Sequence, residues 1–129
     1  INTMTNNAKK ISLTRGEEEV MQALWELGEG YIADIISRMP DPKPKYTTVA
    51  TFLKILEMKG AVSRTKMGKI YIYTPLLSRE DYAHNLMDTM LGEYFGGSLA
   101  QMVSFFSRKE DISTSEMDEI IETMQRIKK

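Results

Sequence analysis

The 129-residue sequence contains no cysteine and only one histidine, His84. Disulfide bonds, thiolate metal sites and cysteine nucleophiles are therefore excluded, and one imidazole offers metal binding or a catalytic triad almost no ligands. The sequence also lacks the roughly 18 consecutive uncharged apolar residues that a membrane span requires, and residues 1–10 have no apolar core of the signal-peptide type. We therefore expect a cytoplasmic protein without membrane insertion, metal or other cofactor.

Features of a catalytic site are scarce as well. Carboxylate pairs such as Glu17 with Glu18, or Glu119 with Glu122, fall on predicted exposed helix faces. No companion nucleophile and no glycine-rich phosphate loop accompanies them. The sequence therefore predicts a protein that is not an enzyme.

Charge is divided unevenly along the chain, although the total is only −1. Residues 1–77 hold eight Lys and three Arg against six Glu and two Asp, a net charge of +3, whereas residues 78–129 carry −4. The basic excess is concentrated between Pro42 and Lys69, where seven cations face only Glu57. A local surplus of this size is typical of a surface that binds a polyanion, although a solvated basic face would give the same pattern.

Three amphipathic helices are predicted before any strand. Thr14 and Glu17 form a capping box at the start of the first helix, which ends near Gly28. A short second helix is predicted over residues 32–39, and a third from about residue 46 to residue 59, where a glycine follows. The apolar period then falls from about 3.6 to 2, which predicts a β-hairpin with residues 67–69 at its tip. This order of elements is that of a winged helix-turn-helix.

Three further helices are predicted in residues 78–129, and they are too small to be stable alone. Their apolar faces must pack either on the first three helices or on an identical copy, and symmetric homodimers are the commonest solution. The predicted dimerisation residues are Tyr82, Leu86, Met90, Tyr94, Leu99, Met102, Val103, Phe106, Met117, Ile120, Ile121 and Met124. We therefore predict a mostly α-helical fold with a small β-hairpin, divided into a flexible tail (1–12), a winged-helix domain (13–77) and a helical dimerisation domain (78–129).

The predicted third helix has a small, polar face opposite its apolar stripe. At 100° per residue, that face holds Thr47, Ala50, Thr51, Lys54 and Met58. Short side chains let a helix approach base edges in the major groove, and the amides at its start favour a phosphate. In the hairpin, Arg64, Lys66 and Lys69 flank a turn that contains glycine and could contact the DNA backbone. Tyr71 and Tyr73 could bind phosphate or serve as half-buried cover of the sheet.

Four segments together resemble the penicillinase and methicillin-resistance repressors of bacteria (BlaI and MecI type). They are LTRGEEEVMQALWELG at residues 13–28, YTTVATFLKILEMKGAV at 46–62, GKIYIYTPLLSREDY at 68–82 and SRKEDIS at 107–113. The resemblance covers residue 13 to the C-terminus. It implies a homodimer whose winged domains bind a palindromic operator in double-stranded DNA and repress transcription, while the C-terminal helices intertwine.

The resemblance also implies roles for individual residues. Base-reading positions correspond to Thr47, Thr48, Ala50 and Thr51. The family's backbone-contacting positions correspond to Lys54, Lys69 and Tyr73. With neighbouring residues of the basic stretch added, the predicted backbone-contacting set is Lys43, Lys45, Tyr46, Lys54, Arg64, Lys66, Lys69 and Tyr73. The predicted function is a dimeric, sequence-specific repressor of a β-lactam-resistance-type operon. The alternative is a winged-helix module for protein–protein contacts without specific DNA binding.

The chain departs from the family pattern at the bond where inducible members are cut. A membrane-bound metalloprotease sensor cleaves those members at an Asn-Phe bond in the fifth helix, and the matching dipeptide here is Phe105-Phe106. The resemblance therefore implies a cleavage region and such a sensor as a partner, but with a different residue before the bond. Relatives that sense copper carry a C-terminal cysteine motif, and the absence of cysteine excludes thiolate copper sensing.

Overall fold

The computed structural model describes residues 11–108 and 113–127. Its elements are α1 (Arg15–Leu27), α2 (Ile32–Ser37), α3 (Tyr46–Lys59), β1 (Val62–Met67), β2 (Ile70–Pro75), α4 (Arg79–Tyr94), α5 (Leu99–Arg108) and α6 (Thr114–Ile127). The predicted fold class, mostly helical with a small β-hairpin, is confirmed. The chain divides into two compact units between Asn85 and Leu86. This division lies inside α4, beyond the predicted boundary after Leu77.

Local signals fix the helix ends much as predicted. In α1 the Glu17 amide donates to Thr14 Oγ1 at 3.3 Å, and the Thr14 amide donates to Glu17 Oε1 at 3.1 Å. Gly60 ends α3 with a left-handed φ of 83°, which a side chain would disfavour. Helix α2 is shorter than predicted, because Met39 precedes a proline and residues in that position avoid helical backbone. Met39 is nevertheless buried in the core.

Helices α1 to α3 and the hairpin enclose the core of the first unit. Its buried side chains are Val20, Met21, Ala23, Leu24, Ile32, Ile35, Met39, Val49, Leu53, Leu56, Ala61, Val62, Tyr73, Leu77 and Tyr82. Trp25 is half-buried at the edge of this core, where its Nε1–H donates to the Leu77 carbonyl at 2.7 Å. The rings of Trp25 and Tyr82 lie 5.9 Å apart.

The hairpin is antiparallel, with its register running from Val62 opposite Pro75 to Met67 opposite Ile70. Its turn therefore contains two residues, one fewer than predicted, and Gly68 occupies the left-handed region with a φ of 67°. Gly30 pairs with Tyr73 through hydrogen bonds of 3.0 and 2.8 Å between their backbones. This bridge ties the base of the hairpin to the segment between α1 and α2.

Two residues of the predicted flexible tail, Ile11 and Ser12, contact the first unit. Ile11 is half-buried against the core of the first unit, and the Ser12 carbonyl accepts a hydrogen bond of 2.8 Å from Lys59 Nζ. The chain is therefore anchored before α1 begins. The rest of the predicted tail, residues 1–10, lies outside the described residues.

The second unit contains the end of α4 together with α5 and α6. Gly96 and Gly97 both have positive φ, which separates α4 from α5. Ser98 caps α5 and Ser113 caps α6, each accepting a hydrogen bond of 3.1 Å from an amide three residues later. Within this unit, Met102 is the only buried hydrophobic side chain among the described residues. Its helices therefore leave most of their apolar surface uncovered by the described part of the chain.

None of the helices in residues 11–108 and 113–127 is both long and apolar enough to cross a lipid bilayer. The same residues contain no cluster of three or more histidine or acidic side chains that could hold a metal ion.

Candidate nucleic-acid interface

Helix α3 presents a polar face at its N-terminal end. Its apolar stripe is closed off from solvent, since Val49, Leu53 and Leu56 are fully buried. The predicted base-reading residues Thr47, Thr48 and Thr51 are exposed, whereas Ala50 is half-buried against the core. The Thr51 hydroxyl donates to the Thr47 carbonyl at 3.0 Å. Its proton is therefore used within the helix, and its methyl group and oxygen lone pairs remain available.

The start of α3 differs from every other described helix start. The Tyr31 amide before α2 donates to Asp34 Oδ2, and Thr14, Ser78, Ser98 and Ser113 cap the starts of the remaining helices. Lys45, the N-cap residue of α3, makes no such bond, and the first turn of α3 contains no acidic residue. Uncapped amides and the positive end of the helix dipole make this turn a suitable site for an anion.

Three of the seven cations between Pro42 and Lys69 are engaged inside the protein. Lys43 donates from Nζ to the carbonyls of Ser37 and Met39, which places its charge at the C-terminal end of α2. The expected DNA-backbone contact from Lys43 therefore has a structural competitor. The sequence contains a signal for this interaction. Lys43 follows α2 closely in the chain, and basic residues favour the C-terminal ends of helices.

Lys59 forms an ion pair with Glu17, which is almost fully buried, so the prediction that Glu17 lies on an exposed helix face is wrong. Burial disfavours the charged carboxylate and acts to raise the pKa of Glu17. The hydrogen bond from Lys59 and the backbone hydrogen bond from Thr14 outweigh burial, so the pKa of Glu17 lies below its ordinary value. This pair joins the first turn of α1 to the last turn of α3 and was not foreseen from the sequence.

Arg64 is held between the hairpin and α3. Its Nε lies 3.3 Å from Glu57 Oε2, and its guanidinium carbon lies 4.3 Å from the centre of the Tyr71 ring. The Arg64 Nε must therefore leave the Glu57 carboxylate if that nitrogen is to donate to a phosphate of DNA. A signal was present in the sequence, because Glu57 is the single acidic residue in the basic stretch.

Four cations of the stretch remain available, and we call them the basic set: Lys45, Lys54, Lys66 and Lys69. All four are exposed, and none forms an ion pair within the described part of the chain. Lys45 and Lys54 belong to the start and middle of α3, and Lys66 and Lys69 to the hairpin. The structure thus places unpaired positive charge on both elements that a winged helix uses on DNA.

The tyrosines of the predicted backbone set have different surroundings. Tyr46 is 57% exposed at the start of α3, where its hydroxyl is accessible to a phosphate. Tyr73 is only 7% exposed and is part of the core. The packing role considered for Tyr73 therefore accounts for its position, and we leave it out of the proposed contacts.

The predicted dimerisation residues separate into two groups. Tyr82 packs in the core of the first unit, so its burial needs no second chain, and burial together with the charge of Glu18 raises the pKa of its hydroxyl. The other eleven belong to the second unit. Residues of α5 and α6 line an apolar cleft of about 480 Å³, including Leu99, Val103, Met117, Ile120, Ile121 and Met124.

The Phe105-Phe106 dipeptide lies near the end of α5. Each side chain is 38% exposed, and the two rings are 5.8 Å apart. The Phe105 ring also meets Phe95 edge-on at 5.6 Å. The peptide bond between Phe105 and Phe106 therefore lies in helical backbone, and the aromatic side chains on either side of it are partly covered.

Comparison with known proteins identifies relatives that match most of the chain. A sequence profile of the family described as "Penicillinase repressor" matches residues 13–126. The penicillinase repressor of Bacillus licheniformis is 28% identical over 124 residues, 93% of this chain and 95% of that protein. The methicillin resistance regulatory protein MecI of Staphylococcus aureus (strain N315) is 28% identical over 115 residues, 87% of this chain and 92% of that protein. The solved monomeric form of Bacillus licheniformis BlaI, in complex with the blaP half-operator, has a TM-score of 0.47 and 27% identity, covering 56% of this chain and 89% of that chain.

Proposed function

Since the chain belongs to the penicillinase repressor family, we propose that it is a dimeric, sequence-specific DNA-binding repressor of transcription. The observation that carries this proposal is the uncapped, polar N-terminal face of α3 with unpaired lysines beside it and on the hairpin. A helix of this kind can enter the major groove while the lysines contact phosphates.

In the proposed complex, α3 reads bases and the surrounding groups hold the phosphate backbone. Thr47, Thr48 and Thr51 offer hydroxyl and methyl groups to base edges, and Ala50 permits close approach at the position between them. The uncapped amides of the first turn and the Tyr46 hydroxyl bind phosphate. The basic set, and Arg64 after it leaves Glu57, supply the salt-dependent part of the affinity.

The second unit is proposed to hold two chains together. Its uncovered apolar residues on α4, α5 and α6 would be buried between two copies, with the C-terminal helices intertwined. Two tethered winged domains then bind two half-sites of a palindrome, because a two-fold protein matches a two-fold operator. The tether raises the effective concentration of the second domain, a gain of about 10²–10⁴ in affinity.

The relatives named as penicillinase and methicillin-resistance repressors support a β-lactam-resistance-type operon as the regulated target. Release is proposed to follow proteolysis at Phe105-Phe106 by a membrane-bound metalloprotease sensor. Because that bond is in a helix, α5 must open locally before it can be cut. Intact chains in derepressed cells, measured by mass spectrometry, would contradict release by proteolysis.

Selection from a random library of duplexes of about 30 base pairs tests the DNA-binding proposal. We expect enrichment of an inverted repeat whose half-sites are about one or two helical turns apart. Binding to the enriched site should fall steeply with salt, since each phosphate contact releases condensed counterions. Failure to enrich any sequence, with weak binding to all duplexes, would favour the protein-interaction module instead.

Matched lysine variants sharpen the test. Lys66→Ala should reduce the salt slope by about one unit per half-site, because it removes an unpaired cation. Lys43→Ala is the control, since its charge is already used at the end of α2.

Thr47→Ala should instead reduce the ratio of specific to random binding by about 5–150-fold per half-site, which is the value of one lost base contact. An unchanged ratio would exclude Thr47 as a base-reading residue.

A further inference from the structure

Two apolar side chains lie exposed at the end of the hairpin. Met67 is 48% exposed and Ile70 is 51% exposed. They are register partners, Met67 at the last position of β1 and Ile70 at the first position of β2, so they lie on the same face of the hairpin beside the turn. Neither belongs to the core or packs against it. We call the segment Met67–Ile70 the wing tip.

The wing tip is built for close approach to a surface. Its turn contains only Gly68 and Lys69, and a Cβ on Gly68 would meet nothing within 4 Å. Gly68 also has positive φ, which makes the tight two-residue turn accessible. The end of the hairpin is thus narrow, with the Met67 and Ile70 side chains directly behind it.

The positive charge around the wing tip favours a polyanion as its binding partner. No acidic residue occurs between Glu57 and Glu80 in the sequence, while Lys66 lies near the end of β1 and Lys69 lies within the turn. A partner must therefore offer negative charge beside an apolar surface. The minor groove of DNA has this composition, with phosphates along both walls and sugar and base edges between them.

The two apolar side chains favour one kind of minor groove. Guanine places its 2-amino group in the groove floor, whereas A·T pairs present only acceptors there. Grooves over A·T runs are also narrower and more negative, which suits the adjacent lysines. An apolar side chain that covers a guanine 2-amino group removes it from water without offering it a hydrogen bond, which costs free energy. Methionine and isoleucine can therefore contact sugars and base edges more favourably over A·T pairs.

We propose that the wing tip reads the minor groove next to each half-site and prefers A·T to G·C pairs there. This inference rests on the proposed DNA-binding function and adds to it, because the hairpin then contributes specificity as well as phosphate contacts. The preference applies to flanking base pairs that α3 does not reach.

The test compares three duplexes that share the selected site and differ only in the flanks: A·T, G·C, and inosine·C. Inosine lacks the 2-amino group but leaves the major-groove edge of guanine unchanged, so it isolates the minor groove. We expect the full-length protein to bind the A·T and inosine·C flanks about 3–10-fold more tightly than the G·C flank. Equal affinity for the three flanks would overturn the inference.

Side-chain variants locate the preference. The double variant Met67→Ser, Ile70→Thr should lose the flank preference and keep the salt slope, because no charge is removed. Lys66→Ala should keep the flank preference and reduce the salt slope, because it removes a charge and leaves the two apolar side chains in place. Leu76→Ser is the matched control, since Leu76 is a 61% exposed apolar residue just after β2 and outside the wing tip. Circular dichroism should confirm that each variant is folded.

The remaining outcomes separate this inference from the proposed function. A folded protein that binds no duplex overturns both. Tight binding to the selected site with an unaltered flank preference in the double variant overturns only the wing-tip inference. Binding to phosphatidylserine vesicles that the double variant loses, with duplex binding unaffected, would assign the wing tip to a membrane surface instead.

Discussion

The two units of the protein use their apolar residues in opposite ways. Fifteen of the sixteen buried hydrophobic side chains in the described residues belong to the first unit, and Met102 is the single one in the second. Nine large hydrophobic side chains of the second unit are exposed: Leu86, Met87, Met90, Tyr94, Leu99, Phe105, Phe106, Ile121 and Met124. The first unit therefore closes its own core, whereas the second has apolar faces suited to a second chain.

Size and shape account for the difference. In the first unit three helices and a hairpin pack around one core, and the chain before α1 packs against part of that core. In the second unit, parts of three helices cannot enclose apolar stripes on each of them, because small assemblies bury too small a fraction of their surface. The first unit thus has a core that one chain closes by itself, and we propose that the second unit is stabilised by association with a second chain.

The strongest test of this contrast places a charge on the open face of α6. Ile121→Glu introduces a carboxylate at a side chain that is 50% exposed in one chain. If two chains meet there, the charge is buried without a partner, the dimer dissociates, and affinity for a palindromic site falls by about 10²–10⁴. Sedimentation and DNA binding measure the two effects.

Ser115→Glu is the control for this variant, because Ser115 is exposed on the opposite face of the same helix. A dimer that persists in Ile121→Glu would show that α6 is solvent-exposed, and the contrast between the two units would fail.

A core substitution in the first unit should behave differently. Leu53→Ala removes a fully buried side chain and should lower the free energy of unfolding by about 2–5 kcal/mol. The loss should be equal at protein concentrations about 100-fold apart, because this core lies within one chain. Trp25 fluorescence monitors unfolding of this unit in urea. A loss that shrinks as concentration rises would show that the first unit also depends on association.

The buried ion pair gives a smaller effect with a defined pH dependence. Glu17→Gln keeps the capping box but removes the charge that pairs with Lys59, and should cost about 1–2 kcal/mol at neutral pH. The pKa of Glu17 is lowered by folding, so its stabilisation is present above the ordinary value of 4.5 and is lost as pH falls through the lower folded value. Urea unfolding at pH 7 and at about pH 3 should therefore show the variant and wild type converging in acid. A gap of constant size would contradict this assignment.

The smallest expected effect concerns Arg64. Glu57→Gln releases the guanidinium from its carboxylate and should raise affinity for duplex DNA about 2–10-fold, with a steeper salt dependence. Combining it with Arg64→Ala should remove most of the gain. If the gain survives in the double variant, general repulsion between Glu57 and DNA is its cause, and Arg64 stays a structural residue of the first unit.

Local features were predictable because the interactions that produce them lie within a few residues. The Thr14–Glu17 capping box, the end of α3 at Gly60 and the change of period after it all follow from neighbouring side chains and backbone. The exposed Thr47–Lys54 face follows from helical periodicity alone. The limits of α2 and of the turn at Gly68 differed by one or two residues, where a proline and the strand register decided them.

Which cations are available was a different matter. A count of charges along the chain treats all seven cations of the basic stretch as equally available. In the structure, Lys59 pairs with Glu17, 42 residues away in sequence, and Arg64 pairs with Glu57 on another element. Lys43 turns back onto α2, Tyr73 enters the core, and Tyr82 packs on Trp25. The sequence carries a signal for two of these contacts, because Lys43 follows α2 closely and Glu57 is the single acidic residue of the basic stretch. The other contacts have no fixed spacing that a sequence pattern could reveal.

The sequence by itself determined the helices and strands, their caps, the basic and acidic halves and the polar face of α3. These depend on backbone geometry and on side chains near one another in the chain. Only the tertiary structure decided which charges are neutralised, which tyrosines are buried and which apolar faces stay open. The physical reason is that ion pairing and burial depend on which elements pack together, and packing brings together residues that are far apart in sequence.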